Sequence, residues 1–152
     1  MKQFDKKKIG FFTVIVMALL VFSSGAVAAE TNKLFNGLWE GVDPDDGSTM
    51  QISIICDKSA DGTCRLIARE SYIHKCESNG EAGSEGWYEG TGQVATGNKR
   101  RLDVVDWTLH CLEDGHEVHF TSYFIVNRAR NILIMSPHDH DFTDTILHRV
   151  SN

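Results

Sequence analysis

Residues 48–72 read STMQISIICDKSADGTCRLIARESY, and the alternation in this stretch decides the fold class. Met50, Ile52, Ile54 and Cys56 fall two apart, as do Leu66 and Ala68 beyond a polar break. Each run therefore presents one apolar and one polar face, the period of a strand half-buried in a sheet. Asp61-Gly62 supplies turn chemistry between them, and Cys56 and Cys64 flank the break as the two arms of a hairpin would hold them.

The same pattern continues outward in both directions. Runs rich in Ile, Val, Thr and aromatics predict strands over 36–43, 48–56, 63–72, 87–95, 100–111, 116–126, 131–136 and 142–150. The breaks carry Pro44-Asp45-Asp46-Gly47, Gly97-Asn98, Glu113-Asp114-Gly115, Asn127 to Asn131 and Ser136-Pro137. Leu102 and Val104 share a face of the fifth run, and Val118, Phe120, Phe124 and Val126 share one of the sixth. Only Ile73 to Gly86 is a long connection, and its Gly and Ser content reads as a flexible surface loop. Eight short strands joined in order predict an all-β, eight-stranded up-and-down antiparallel barrel, whose closure removes the exposed sheet edges. A two-sheet sandwich is the alternative, but its Greek-key crossings need long connections, and the chain offers one candidate.

Lys2, Lys6, Lys7 and Lys8 precede an apolar run from Ile9 to Phe22 and the small residues Ala26-Val27-Ala28-Ala29. These are the three parts of a secretory signal peptide over 1–29, leaving 30–152 as a single exported β-barrel domain, periplasmic or extracellular. The strongly apolar part falls short of the roughly 20 residues a spanning helix needs, so no membrane attachment is expected after cleavage. Setting aside the leader's four lysines and one aspartate from totals of 15 basic and 21 acidic residues leaves 11 against 20, a balance of −9. Nucleic acid is a poor partner for such a surface, because phosphate binding needs a basic face.

All four cysteines, Cys56, Cys64, Cys76 and Cys111, lie beyond the leader, and an even number in an exported domain reads as two disulfides. Three pairings are formally open. The hairpin favours Cys56 with Cys64, and hence Cys76 with Cys111. Chain-entropy arguments put upper limits of roughly 2.6 and 3.8 kcal/mol on these bridges.

Asn36-Gly37-Leu38-Trp39-Glu40-Gly41 resembles the Gly-x-Trp opening of the first strand in lipocalins and their calycin relatives, which include the avidins. The resemblance implies that Trp39 closes one barrel end and that Arg149, in the final Leu147-His148-Arg149-Val150, lies over it. A guanidinium can stack on an indole while donating to nearby carbonyls. The wider layout, with Trp39 to Ser48 as Trp-x-x-x-Asp-x-x-Asp-Gly-Ser, is similar to small bacterial exported lipocalin-like proteins that have no assigned function. The mature chain is shorter than typical lipocalins, and avidin's biotin contacts have no residue-by-residue match. The resemblance thus implies a fold more than a ligand.

An eight-stranded barrel has room for packed side chains or for one small ligand. Met50, Ile54, Phe120, Phe124, Phe142 and Ile146 are the large inward candidates, and Trp87 and Tyr88, just after the long loop, are placed to gate a mouth. His138-Asp139-His140-Asp141 offers two histidines on one side of a turn as candidate metal ligands, although polar turns commonly look like this. His116 and His119, three apart on a strand, face opposite ways. Asp106 is expected inward with Val104 and His110. No Gly-x-Ser-x-Gly, phosphate loop or His-Glu-x-x-His is present, so an enzyme is not expected. The sequence reading is an exported noncatalytic protein without a cofactor that binds a small apolar or amphipathic ligand. The alternative is a protein-interaction module, an inhibitor or envelope factor, with a filled barrel and the loop from Ile73 to Gly86 as its working surface.

Overall fold

Eight half-buried strands carry backbone N–H and C=O groups that only neighbouring strands can satisfy, and this chain meets the demand by closing its sheet on itself. A computed structural model describes residues 33–57, 62–71, 73, 76, 86–137 and 143–151. The expected leader lies outside them, as do His74, His138, His140 and Phe142. The strands are β1 (Gly37–Val42), β2 (Thr49–Cys56), β3 (Thr63–Glu70), β4 (Gly86–Val94), β5 (Arg101–Cys111), β6 (Glu117–Val126), β7 (Ile132–Pro137) and β8 (Thr145–Ser151). They form a closed antiparallel barrel in sequence order, with β1 pairing β8, and no α-helix occurs among the described residues. The two disulfides join Cys56 to Cys64 and Cys76 to Cys111. Cross-links of this kind suit an oxidising, exported environment.

Alternation carries the core. Met50, Ile52, Ile54 and Cys56 of β2 and Cys64, Leu66 and Ala68 of β3 are buried, with exposed or half-buried residues between them. One strand breaks its own period. In β5, Leu102 and Val104 face in, then Val105 and Asp106 are both exposed, and Trp107, Leu109 and Cys111 face in again. The register to both neighbours shifts here, from Val104 opposite Ser122 to Trp107 opposite Phe120, which marks one extra residue in β5. Asp106 is therefore outside the barrel, contrary to the sequence expectation. Its carboxylate accepts the Thr91 backbone N–H at 3.0 Å and the Thr91 hydroxyl, supplying acceptors where the β4–β5 ladder is interrupted.

β8 also corrects the sequence reading. Ile146 points outward and is 54% exposed, while its neighbours Thr145 and Leu147 are buried. An expected strand start at residue 142 sets the wrong parity, and a one-residue change of parity exchanges the faces of a whole strand. Outside, Ile146 continues an apolar row through Ile134 and Ile125 on one side and Val42 on the other, each directly paired across the sheet.

One end of the barrel is closed by the segment before β1. Trp39 is fully buried, and its Nε1 donates to the Phe35 carbonyl at 2.9 Å. The Arg149 guanidinium lies 4.0 Å from the centre of the Trp39 ring, as the family resemblance implies. Arg149 also donates from Nε to the Arg130 carbonyl at 2.7 Å and from its two terminal nitrogens to the carbonyls of Leu34, at 2.6 Å, and Asn36. Burial and the charge of Arg130 lower the guanidinium pKa from its ordinary value, and the three carbonyls offset that cost. Arg130 itself has a positive φ of 62°, a conformation that costs a non-glycine residue energy and here aims its carbonyl at Arg149.

Lysine cannot reproduce this planar fork. Arg149→Lys is expected to lower the unfolding free energy by about 2 kcal/mol, read as a fall in denaturant midpoint. His148→Lys, one residue away on the exposed face, is expected to stay within about 0.5 kcal/mol of wild type.

Candidate functional site

The opposite end differs in kind. Among the described residues it carries 43–48, which join β1 to β2, 112–116, which join β5 to β6, and 71, 73, 76, 143 and 144 of the other two connections. Its rim is tied by Ser136 Oγ donating to Asp144 and by the Thr143 backbone N–H donating to Asp45 Oδ2 at 3.2 Å.

Inside this end β4, β5 and β6 bring aromatic rings together. Tyr88 stacks on Trp107 with centroids 5.5 Å apart, and Phe120 stands edge-on to Tyr88 at 6.0 Å and 82°. Phe124 closes the set below, edge-on to Trp107 at 6.0 Å. Trp107 has room because the facing residue of β4 is Gly90: a Cβ there would come within 2.8 Å of the indole. Tyr88 and Phe124 are buried, but Phe120 and Val118 are only partly buried although they belong to the inward face of β6, so this face reaches solvent at the mouth.

Polar groups lie within this apolar wall. Tyr88 donates its hydroxyl proton to Glu70 Oε2 at 2.7 Å. Burial is the main cause of a strongly raised Tyr88 pKa, followed by the charge and hydrogen bond of Glu70 and then by the charges of Asp43 and Asp46. The phenol is thus held neutral as a donor, beneath a rim of carboxylates. Trp107 Nε1 and Ser122 Oγ, from residues 0% and 1% exposed, have no hydrogen-bond partner, nor does Ser48 Oγ at the rim. Leaving such a group unsatisfied costs about 1–3 kcal/mol, so the two inside β5 and β6 are a standing cost to the fold.

Part of the long connection between β3 and β4 covers the mouth. Ile73 and Cys76 are buried, and a Cβ at Gly86 would lie 2.8 Å from Ile73 Cδ1. The Cys76–Cys111 bridge fixes this segment to the end of β5. At these two positions the loop belongs to the core, not to a free surface.

Of the residues singled out from sequence, Tyr88, Phe120 and Phe124 assemble here, and Trp39 and Arg149 assemble at the other end. Trp87 does not join them. It lies on the outer wall, stacked 4.3 Å from the His110 ring, whose Nδ1 is 2.9 Å from Glu117 Oε1. Adjacent residues of a strand face opposite ways, so only one of Trp87 and Tyr88 could enter the barrel. Phe142 and the proposed metal pair His138 and His140 lie outside the described residues. Among the described residues no group of three or more His, Cys, Asp or Glu is placed to hold a metal ion.

Three residues of this end escaped the sequence reading. Trp107 was hidden by the bulge. Glu70 and Ser122 were signalled by parity: each falls two residues from inward apolar neighbours, Ala68 in one case and Phe120 and Phe124 in the other. Comparison with known protein families, curated proteins and solved structures found no match to the chain.

The raised Tyr88 pKa fixes the sign of an alkaline effect. Unfolded tyrosine ionises near pH 10, whereas the folded phenol keeps its proton above that pH, so the unfolded state then binds fewer protons and stability falls as pH rises. The stabilisation is fully present below about pH 10. Above it, the unfolding free energy of wild type is expected to fall relative to Tyr88→Phe with a slope approaching about 1.4 kcal/mol per pH unit. Denaturant titrations from pH 9 to 11 check this, and parallel curves for the two proteins would contradict it.

Proposed function

We propose that this chain is an exported, noncatalytic binding protein of lipocalin-like type, periplasmic or extracellular, whose barrel takes a small amphipathic molecule through its open end. The observation that carries this reading is the pair of unpartnered polar atoms, Trp107 Nε1 and Ser122 Oγ, in a mostly apolar interior. Mostly apolar walls with a few placed polar groups are the common composition of small-molecule sites. A barrel serving only as a packed scaffold gains nothing from burying these groups, since apolar residues of similar shape would remove the cost. The partly exposed Phe120 and Val118 supply an approach from solvent, and the stacked Trp39 and Arg149 support the lipocalin-like assignment.

Native mass spectrometry of the protein purified under oxidising conditions from the envelope of its source is the test. The native mass is expected to exceed that of the polypeptide, with the excess lost on denaturation and recovered as a small organic molecule. A native mass equal to that of the bare chain, in protein expressed where its ligand is made, would overturn the reading.

A further inference from the structure

We infer that the closed end of the barrel docks on the anionic head groups of a phospholipid membrane, through Lys99, Arg100, Arg128 and Arg130 on two adjacent connections. The inference concerns the outside of the barrel and stands whether or not the interior takes a ligand.

The overall charge hides this surface. Beyond the leader the chain carries 11 basic and 20 acidic residues, but folding does not spread them evenly. Residues 95–100 join β4 to β5, and residues 127–131 join β6 to β7. These two connections carry Lys99, Arg100, Arg128 and Arg130 and no Asp or Glu. The backbone holds them side by side: the Val126 N–H donates to the Arg100 carbonyl at 2.9 Å, and Arg101 pairs with Ile125. The second connection is fixed to the closed end by Arg149, whose Nε donates to the Arg130 carbonyl and whose backbone N–H donates to that of Asn131 at 3.0 Å.

All four basic residues are exposed, and among the described residues none of them makes an ion pair. Asp103, the nearest carboxylate in sequence, is taken by Arg101 at 2.6 Å, and Arg101 also lies 4.4 Å from the centre of the Tyr123 ring. The crowding of positive charge is felt at Arg149, whose pKa is lowered first by burial and then by the charge of Arg130. Like charges held together without counter-charges repel one another, so the cluster gives the fold itself no stability.

The form of the patch suits a planar partner. Asn127 Oδ1 accepts the backbone N–H groups of Asn131 at 3.1 Å and Ile132 at 3.2 Å, and Asn98 Oδ1 accepts that of Arg100 at 3.2 Å, so each connection is braced by its own side chain. A Cβ at Gly97 would meet nothing within 4 Å, which shows the first turn standing clear of the barrel. Projecting tips reach a flat array of phosphates together, whereas peptides are usually recognised in a groove or along a sheet edge. Each Lys or Arg near an anionic leaflet adds attraction that fades within a Debye length, so docking of this kind is reversible and sensitive to salt. It would leave the opposite end of the barrel facing away from the membrane.

The test is cosedimentation of the oxidised protein, without its lysine-rich leader, with vesicles of phosphatidylcholine alone or with about one-third phosphatidylglycerol. At about 0.05 M salt the protein is expected to partition at least about tenfold more strongly onto the anionic vesicles, and at about 0.5 M the difference is expected to vanish. Arg100→Gln combined with Arg128→Gln is expected to weaken this binding by about tenfold while the denaturant midpoint stays unchanged. Arg65→Gln combined with Arg69→Gln removes the same charge from exposed positions of β3 and is expected to weaken it by no more than about threefold. Equal partition onto the two kinds of vesicle, or none onto either, would overturn the inference. Equal losses in the two double variants would trace binding to net charge and overturn it too. Retention on immobilised polyglutamate without vesicle binding would assign the patch to an acidic polypeptide in place of a membrane. None of these outcomes touches the native mass of the protein, which tests the interior separately.

Discussion

The seam between β1 and β8 is the constraint on which the rest of this barrel depends. Seven of the eight strand pairings join neighbours in sequence, and the eighth must bring the two ends of the sheet together. The closing pair is unusually intimate. A Cβ at Gly37 would lie 2.2 Å from the Ser151 carbonyl oxygen, and one at Gly41 would lie 2.3 Å from that of Ile146, so neither position admits a larger residue without moving β8. Between them Trp39 is paired with Arg149, stacked beneath its guanidinium and fully buried. The Gly-Leu-Trp-Glu-Gly sequence therefore combines close approach with a side chain that fills the end of the barrel. Closure then dictates faces elsewhere: with Arg149 turned in over Trp39, Leu147 and Thr145 must follow it inward and Ile146 must face out.

Two fully buried tryptophans show how differently the ends are finished. At the closed end the Trp39 indole donates to Phe35, the backbone N–H of Cys56 donates to Asn36 Oδ1 at 2.6 Å, and Arg149 takes up carbonyls of Leu34, Asn36 and Arg130. Every one of these contacts stabilises the fold directly. Trp107 has equal burial and two aromatic rings against it, but its N–H meets no acceptor. The contrast is informative because the chemistry is the same in both places. A bulge in β5 was needed to turn Trp107 inward, and a glycine in β4 to accommodate it. A position requiring two local departures from regular strand structure is hard to explain by core filling alone, for which an aliphatic residue would suffice.

The strands and turns were legible in the sequence because period-two alternation and turn residues are local signals. All eight runs became strands, and Gly47 and Gly97 take the positive φ that their turns demand. Faces were legible only where the period was unbroken. The bulge at Val105 and Asp106 could not be seen, because its cause is pairing with β4 and β6 and not anything within β5. For that reason alternation alone places Asp106 inside and Trp107 outside. At β8 the wrong starting point put Ile146 inside, although the inward Arg149 implied by the family resemblance already required the other parity. The site was half legible: Tyr88, Phe120 and Phe124 were visible as aromatics on strands, whereas Glu70 and Ser122 looked like ordinary polar residues. Their significance depends on what surrounds them after closure, which alternation predicts but composition does not.

The disulfides follow the same division between ends. Cys56 and Cys64 are directly paired in the β2–β3 hairpin, bridging residues eight apart that the ladder already holds together. Cys76 and Cys111 are 35 apart, and their bond ties the connection after β3 to the end of β5. The entropic benefit of a cross-link grows with the loop it closes, so the second bridge constrains the unfolded chain more. It also acts where the barrel is least self-sufficient. Ile73, three residues before Cys76, is buried close to Gly86 at the start of β4. The staple thus does at the mouth what Arg149 does at the base. It holds the buried Ile73 and Cys76 at the mouth, where Phe120 and Val118 on the inward face of β6 are only partly buried.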